Sequence, residues 1–309
     1  MRAVRLGADL QPPDGRSVLR GHVQTCFAHA VHVTLEDGRL MTLLSGEAQY
    51  GMRILNIAET GWPALRNALA VGDDMSLSGS MLRHSRFALS LEGVAIWQAP
   101  PTDERLALLD AATRSNVIHG ARAWLAARLA VEQARSPAPV RALWRAALDA
   151  FFDAIDALRA KDSVRLDACV RAALGLGPGL TPSADDMFAG LLIGLRMTQG
   201  PHALLAQSLQ RHWHDTTRAS RDVLEQASMG WTTSRTADVC HALSLPRESA
   251  ALEIALAAQA TIGEHSGLDT LIGLLTGVAF SEADSESSPS LQSRFRRPHT
   301  PAFERSPSP

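Results

Sequence analysis

The sequence predicts an α+β protein: a small N-terminal β-barrel- or sandwich-like domain over residues 1–100, followed by a larger all-α domain. Three observations carry this. Up to about residue 98 the apolar residues alternate and glycine-containing turns separate short runs. Pro100-Pro101 then breaks the pattern. From Thr102 onward the chain is alanine-rich with helical periodicity.

In the first part, residues 21–35 read as a strand, and Asp37-Gly38 is a hairpin turn signal leading into residues 39–44. Residues 75–81, 86–91 and 94–97 read as further strands, with one interposed helix over 62–69. In the second part, helices are expected over 103–134, 139–160 and 163–174, then over 183–198, 202–214, 217–229, 247–262 and 266–280. The helical domain is expected to span 101–280. Residues 281–309 are rich in Ser, Pro, Glu and Arg with little to bury, which predicts a disordered tail.

Composition excludes several classes. The 309 residues are 46% hydrophobic and 20% charged, with net charge −2 and pI about 6.6. No basic stripe points to nucleic acid. The N-terminus lacks the apolar core of a signal peptide, and no run is long enough to span a bilayer, so a cytoplasmic protein is expected. Cys26, Cys169 and Cys240 form no CxxC pair and read as small buried thiols. Lys161 is the single lysine and has no glycine-rich loop around it, which argues against P-loop and Schiff-base chemistry.

An internal repeat stands out. Residues 183–194 and 266–277 both read S-x-x-D-x-x-x-G-L-L-x-G. Ser followed by an acid three residues later resembles a capping box. Glycines four apart share a helix face and admit another backbone, at about 0.5–1 kcal/mol each against alanine. The two helices are therefore expected to cross glycine face to glycine face, bringing their N-terminal ends, Asp186 and Asp269 together.

The turn Gly175–Ser183 (GLGPGLTPS) joins two helices. Its glycines, Gly177 and Gly179 among them, leave N–H groups uncovered, Pro182 suits a first helical turn with Thr181 as cap, and a helix N-terminus favours an anion. Thr181 and Ser183 add hydroxyls. Asp185 and Asp186 would repel that anion; they fit better as caps, as ligands for a cation such as Mg²⁺, or as partners for a substrate amide or ammonium. Thr217 and Ser220 share a helix face and form a second hydroxyl cluster. His212 and His214, two residues apart, point to different faces and do not chelate. His265, beside Ser266 and Gly267, is a candidate general base or donor.

Three segments, Gly175–Gly194, Thr216–Gly230 and Ile262–Gly277, together resemble the family of AllH, a subunit of the oxamate carbamoyltransferase of bacterial allantoin degradation; Gly21–Leu44 resembles that family's opening strands. Ala184 stands where the family usually has Gly in its Thr-Pro-Ser-Gly-Asp-Asp run, and Glu264-His265 replaces a His-Thr-like pair. The resemblance implies a subunit of an enzyme that moves a carbamoyl group between oxalurate and phosphate, giving oxamate and carbamoyl phosphate, with companion subunits as partners and no obligatory cofactor. On that reading Asp186, Asp269 and His265 are the catalytic candidates. Gly177, Gly179, Thr181, Ser183, Asp185, Thr217, Ser220, Ser266 and Gly267 are the substrate- or phosphate-binding candidates. The alternatives are a small-anion-binding module without chemistry, or a structural subunit.

Overall fold

The computed structural model describes residues 2–11, 17–102, 106, 109–245 and 249–280. The first stretch of chain forms nine strands: β1 (Ala3–Gly7), β2 (Leu19–Cys26), β3 (Ala30–Leu35), β4 (Leu40–Ser45), β5 (Ile54–Ile57), β6 (Asp74–Ser78), β7 (Met81–His84), β8 (Phe87–Ser90) and β9 (Ala95–Trp97). They make one curled sheet in the order β8-β7-β6-β2-β3-β4-β5-β1-β9, a half-barrel left open with β8 and β9 as its edges. Most pairs are antiparallel; β4–β5 and β1–β9 are parallel. Bulges in β1 and β2 add local twist. Helix α1 (Trp62–Ala68) packs Trp62 and Leu65 into the concave core with Val23, Val31, Leu43 and Ile57.

The helical part contains α2 (Ala111–Arg135), α3 (Ala138–Arg159), α4 (Ser163–Ala173), α5 (Ser183–Met197), α6 (His202–His212), α7 (Arg218–Ser228), α8 (Ser234–Leu243), α9 (Ser249–Gln259) and α10 (Ser266–Val278). Asp110, Asp162 and Thr217 cap α2, α4 and α7 by accepting an N–H three residues on. Helix α5 is buried on every side, with Phe188 against Phe151, and forms the axis of this core.

The α+β class stands. The segment 21–35 is two strands, because the chain turns at Phe27–His29, where Phe27 N–H bonds Ala30 O. Strands β1, β5 and β7 and helix α8 were not foreseen. The expected helix from 103 begins at Ala111, where Asp110 caps it; residues 103–105 and 107–108 lie outside the described residues. The tail 281–309 also lies outside them. Cys26 and Cys169 are half-buried and Cys240 is buried, all as free thiols. No helix among the described residues is long and apolar enough to cross a membrane.

Polar ties fasten the sheet to the helices. Arg53, just before β5, is almost fully buried and reaches Asp9 at 2.6 Å, Asp222 at 2.5 Å and Glu225 at 3.2 Å. Asp222 also accepts the Leu40 N–H at 3.1 Å. Tyr50 and Ser234 exchange bonds through Tyr50 N–H to Ser234 Oγ and Ser234 N–H to Tyr50 O, both at 2.9 Å. Removing one partner of such a buried ion network leaves an uncompensated charge.

Candidate functional site

Helices α5 and α10 meet as their glycines require. A Cβ on Gly190 would lie 2.0 Å from Thr270 O, on Gly194 2.3 Å from Leu274 O, on Gly273 1.8 Å from Met187 O and on Gly277 2.8 Å from Leu191 O. Positions rise together along both helices, so the pair is parallel and both N-terminal ends sit side by side. Backbone thus touches backbone across the crossing, a contact that any side chain would prevent.

The heads are not serine-capped, contrary to the capping-box reading. Ser183 and Ser266 are the first helical residues, Pro182 and His265 hold the cap positions, and neither cap has a side-chain bond. The preceding turns supply the acceptors instead: Ala184 N–H bonds Leu176 O at 3.0 Å and Gly267 N–H bonds Ile262 O at 2.9 Å. Asp185 and Asp186 N–H both turn to Pro182 O. Gly177, at φ +120°, passes so close to Ser183 N that a Cβ would sit 2.4 Å from it. The turn therefore folds onto its own helix, and these amides are engaged inside the protein.

Asp185 is a staple for that turn. It is buried, accepts Gly175 N–H at 2.9 Å on one oxygen and the Thr216 hydroxyl on the other. Burial raises its carboxyl above the usual range, and Thr216, Gly175 and Ser220 oppose the rise. Thr217 caps α7 and donates to Leu180 O at 2.9 Å, holding the turn from outside.

Asp186 and Asp269 come together under the heads. Burial, and then the neighbouring Asp269 charge, hold the Asp186 carboxyl well above the usual carboxylate range; Ser266 and Thr181 hydroxyls oppose it. Burial lifts Asp269 to about 7, opposed by Trp144 and Ser183. Trp144 Nε1–H donates to Asp269 Oδ1 at 2.7 Å. The two carboxyls are coupled: a charge on one disfavours a charge on the other, and their protons come off in two steps that belong to the pair. Ser183 Oγ and Asp186 Oδ2 are among the fully buried polar atoms that make no hydrogen bond of ordinary geometry, although the Ser183 hydroxyl lies close enough to Asp269 to oppose the rise of its carboxyl.

A cavity of about 410 Å³ lies between this head and the sheet, within the range of small-ligand sites. Strand β4 contributes Leu40, Thr42 and Leu44, and α5 contributes Asp186, Ala189 and Ile193. Most of the surface is apolar; convergent polar groups come from Thr181, Asp186, Ser266, Thr270, Gln226 and Gln259. Thr181 Oγ1 and Ser266 Oγ, one from each turn, bond each other at 2.8 Å. His32 on β3 also lines the cavity, and burial lowers its pKa, which keeps the ring neutral. Arg53 is the arginine at the wall, and Asp9, Asp222 and Glu225 already neutralise it.

Of the sequence candidates, Thr181, Asp186 and Ser266 line this cavity. Gly177, Gly179, Ser183, Asp185, Thr217, Ser220 and Gly267 do not line it; Asp185 and Thr217 hold the turn, Gly177 passes against Ser183, and Gly267 against Gln259 O. Asp269 and His265 face a second, much smaller pocket on the other side. Among the described residues no group of three His, Cys, Asp or Glu side chains is placed to hold a metal. His212 binds Asp167 at 3.0 Å instead. Sequence reasoning missed His32, Arg53, Asp222, Gln226 and Gln259. No local motif marks the first two, which lie in or beside the sheet, far along the chain from the helices.

Residues 173–278 match the model of a family described as oxamate carbamoyltransferase subunit AllH. The matched stretch contains all three motifs that carried the resemblance and runs from the end of α4 to the end of α10, the glycine-paired helices included. No solved structure matches the chain.

Proposed function

We propose that this chain is a subunit of an oxamate-carbamoyltransferase-like complex, and that the cavity at the head of α5 and α10 holds the carbamoyl-bearing substrate. The reaction joins the carbamoyl group of oxalurate to phosphate, releasing oxamate and forming carbamoyl phosphate. The observation that carries the reading is the Asp186–Asp269 pair, buried and paired with one unsatisfied oxygen, at the edge of a ligand-sized cavity. The family match supports the subunit assignment.

The chemistry follows from the wall. A protonated Asp186 donates to a carbonyl oxygen, and an ionised one accepts from an amide N–H; a ureido group offers both. Around the cavity stand the Thr181 and Ser266 hydroxyls, which bond each other, and the Gln226 and Gln259 amides, held by Asp222 and Thr236, a preorganised polar set. With Arg53 neutralised, the wall suits the uncharged ureido end of oxalurate better than a free dianion. As the carbamoyl carbon is attacked, charge builds on its oxygen, and a neutral carboxyl beside it stabilises that charge.

The test uses the chain assembled with its companion subunits. Carbamoyl phosphate formation from oxalurate and phosphate is assayed with Asp186→Asn and Thr181→Val, after thermal melting shows that each variant is folded. Turnover should drop by about 10²-fold or more for Asp186→Asn. Full activity in that variant removes the cavity from the reaction and leaves a binding or structural role for the chain.

A further inference from the structure

We propose that the Asp186–Asp269 pair exchanges its proton with solvent through a second pocket behind Asp269, with His265 as the relay. This rests on the reading that the pair works on a ligand in the large cavity.

The two carboxyls form a partition. Asp186 lines the large cavity and Asp269 does not; Asp269 lines the small pocket and Asp186 does not. A bound ligand covers the Asp186 side, so a proton taken up or given up during a reaction needs another way out. The small pocket measures about 30 Å³, room for one water molecule. Asp269, Glu132, Ser136, Arg141 and His265 surround it, enough polar groups to hold such a water. Trp144, which lines the same pocket, holds the Asp269 carboxyl in place by its 2.7 Å bond to Oδ1.

The ionisable groups around Asp269 are Asp186 from α5, coupled to it, and, lining the small pocket, Glu132 from α2, Arg141 from α3 and His265 at the head of its own helix. Glu132 is paired with Arg128 at 2.9 Å, and Arg141 donates to Ser136 O, so both are held in place. The His265 side chain is 20% exposed, with Nε2 3.9 Å from the solvent-facing Glu264. It is the group at this pocket that can carry a proton on a ring with one side inside and the other toward solvent.

The transfer balances without a further reactant. Asp269 gives its proton to the pocket water as that water gives one to His265, and the imidazolium then loses its other N–H proton to solvent. The reverse sequence reloads the carboxyl. His265 is thus a positioning and relay residue, since it does not reach the cavity where substrate would sit.

The assembled complex is assayed with His265→Ala and, as a size-matched variant that cannot carry the charge, His265→Gln. Either should lower kcat ~10-fold with KM nearly unchanged, enlarge the solvent deuterium isotope effect and shift the pH profile of kcat; added imidazole should restore turnover to His265→Ala. A folded His265→Gln with unaltered kcat, isotope effect and pH profile, beside an Asp186→Asn that has lost turnover, overturns the relay and leaves the proposed function standing. Full turnover in Asp186→Asn overturns the functional reading itself, whatever His265 does.

Discussion

The heads of α5 and α10 are built from the same twelve-residue pattern, yet their acids face different surroundings. Asp186 stands beside the Thr181 and Ser266 hydroxyls and opens onto the cavity; Asp269 is 1% exposed and bonded to Trp144. The repeat fixes the crossing and therefore the pairing of the acids. What distinguishes them is what lies beyond each acid: the cavity with β4 on its far wall at Asp186, and Trp144 with the small pocket between α2 and α3 at Asp269. Near-symmetric local sequence thus yields an asymmetric pair, one acid toward ligand and one toward protein.

The largest break comes from the crossing itself. Gly273→Ala places a methyl 1.8 Å from Met187 O, and Gly190→Ala one 2.0 Å from Thr270 O. Both obstacles are backbone, so the helices must separate. Each substitution should cost about 3 kcal/mol or more, at or beyond the upper end of ordinary overpacking. Denaturant unfolding reads this directly; a loss below about 1 kcal/mol would mean the two helices are not held at the spacing described.

The second comparison sets the acids against each other by pH. The Asp269 carboxyl is raised from 3.8 to about 7. Its contribution to stability is complete below the unfolded value and is lost as pH rises through the folded one. Asp269→Asn keeps the acceptor for Trp144 and removes that loss. The variant should match the wild type near pH 4 and gain on it through pH 7, by a few kcal/mol. Melting at several pH values checks the slope; parallel curves for the two proteins would sink the assignment. Asp186→Asn should show the same sign, because its carboxyl is raised by burial and by Asp269, while turnover falls.

How much of this was legible beforehand differs between the halves of the molecule. Glycines at 190, 194, 273 and 277 have a spacing that only a close crossing explains, so the pairing of α5 with α10 could be read in advance. The roles of Ser183 and Ser266 could not: the pattern looks like capping, and only the fold shows that Leu176 O, Pro182 O and Ile262 O already serve the first N–H groups. The cavity was hidden for a similar reason. Its far wall is β3, β4 and the Arg53 turn, more than a hundred residues from Asp186, joined to the helices by Asp222 and Ser234. Strands β1 and β5 escaped notice because they are short and carry Arg5 and Asn56, polar residues that blur the alternation.

A third prediction concerns the tie across the cavity wall. Arg53→Met removes the cation from Asp9, Asp222 and Glu225 and leaves Asp222, 7% exposed, buried without its partner. Breaking one side of such a network costs about 3–5 kcal/mol, discounted here because Glu225 and Asp9 reach solvent, so a loss of about 2 kcal/mol is expected. Arg53→Met with Asp222→Asn should recover part of it, and a denaturation cycle of the two single and the double variant measures how much.

The smallest effect isolates why the glycines at the crossing matter. Gly120 also lies inside a helix, on the exposed side of α2, and a Cβ there meets nothing within 4 Å. Nothing in the fold demands glycine at that point, so its flexible backbone only favours the unfolded chain. Gly120→Ala should stabilise the protein by about 0.5–1 kcal/mol, with turnover unchanged. Paired with Gly190→Ala in one denaturation series, the same substitution of glycine by alanine in a helix should move stability in opposite directions. If both positions instead responded alike, helix propensity rather than backbone contact would govern them, and the crossing would lose its claim to set the geometry of the acid pair.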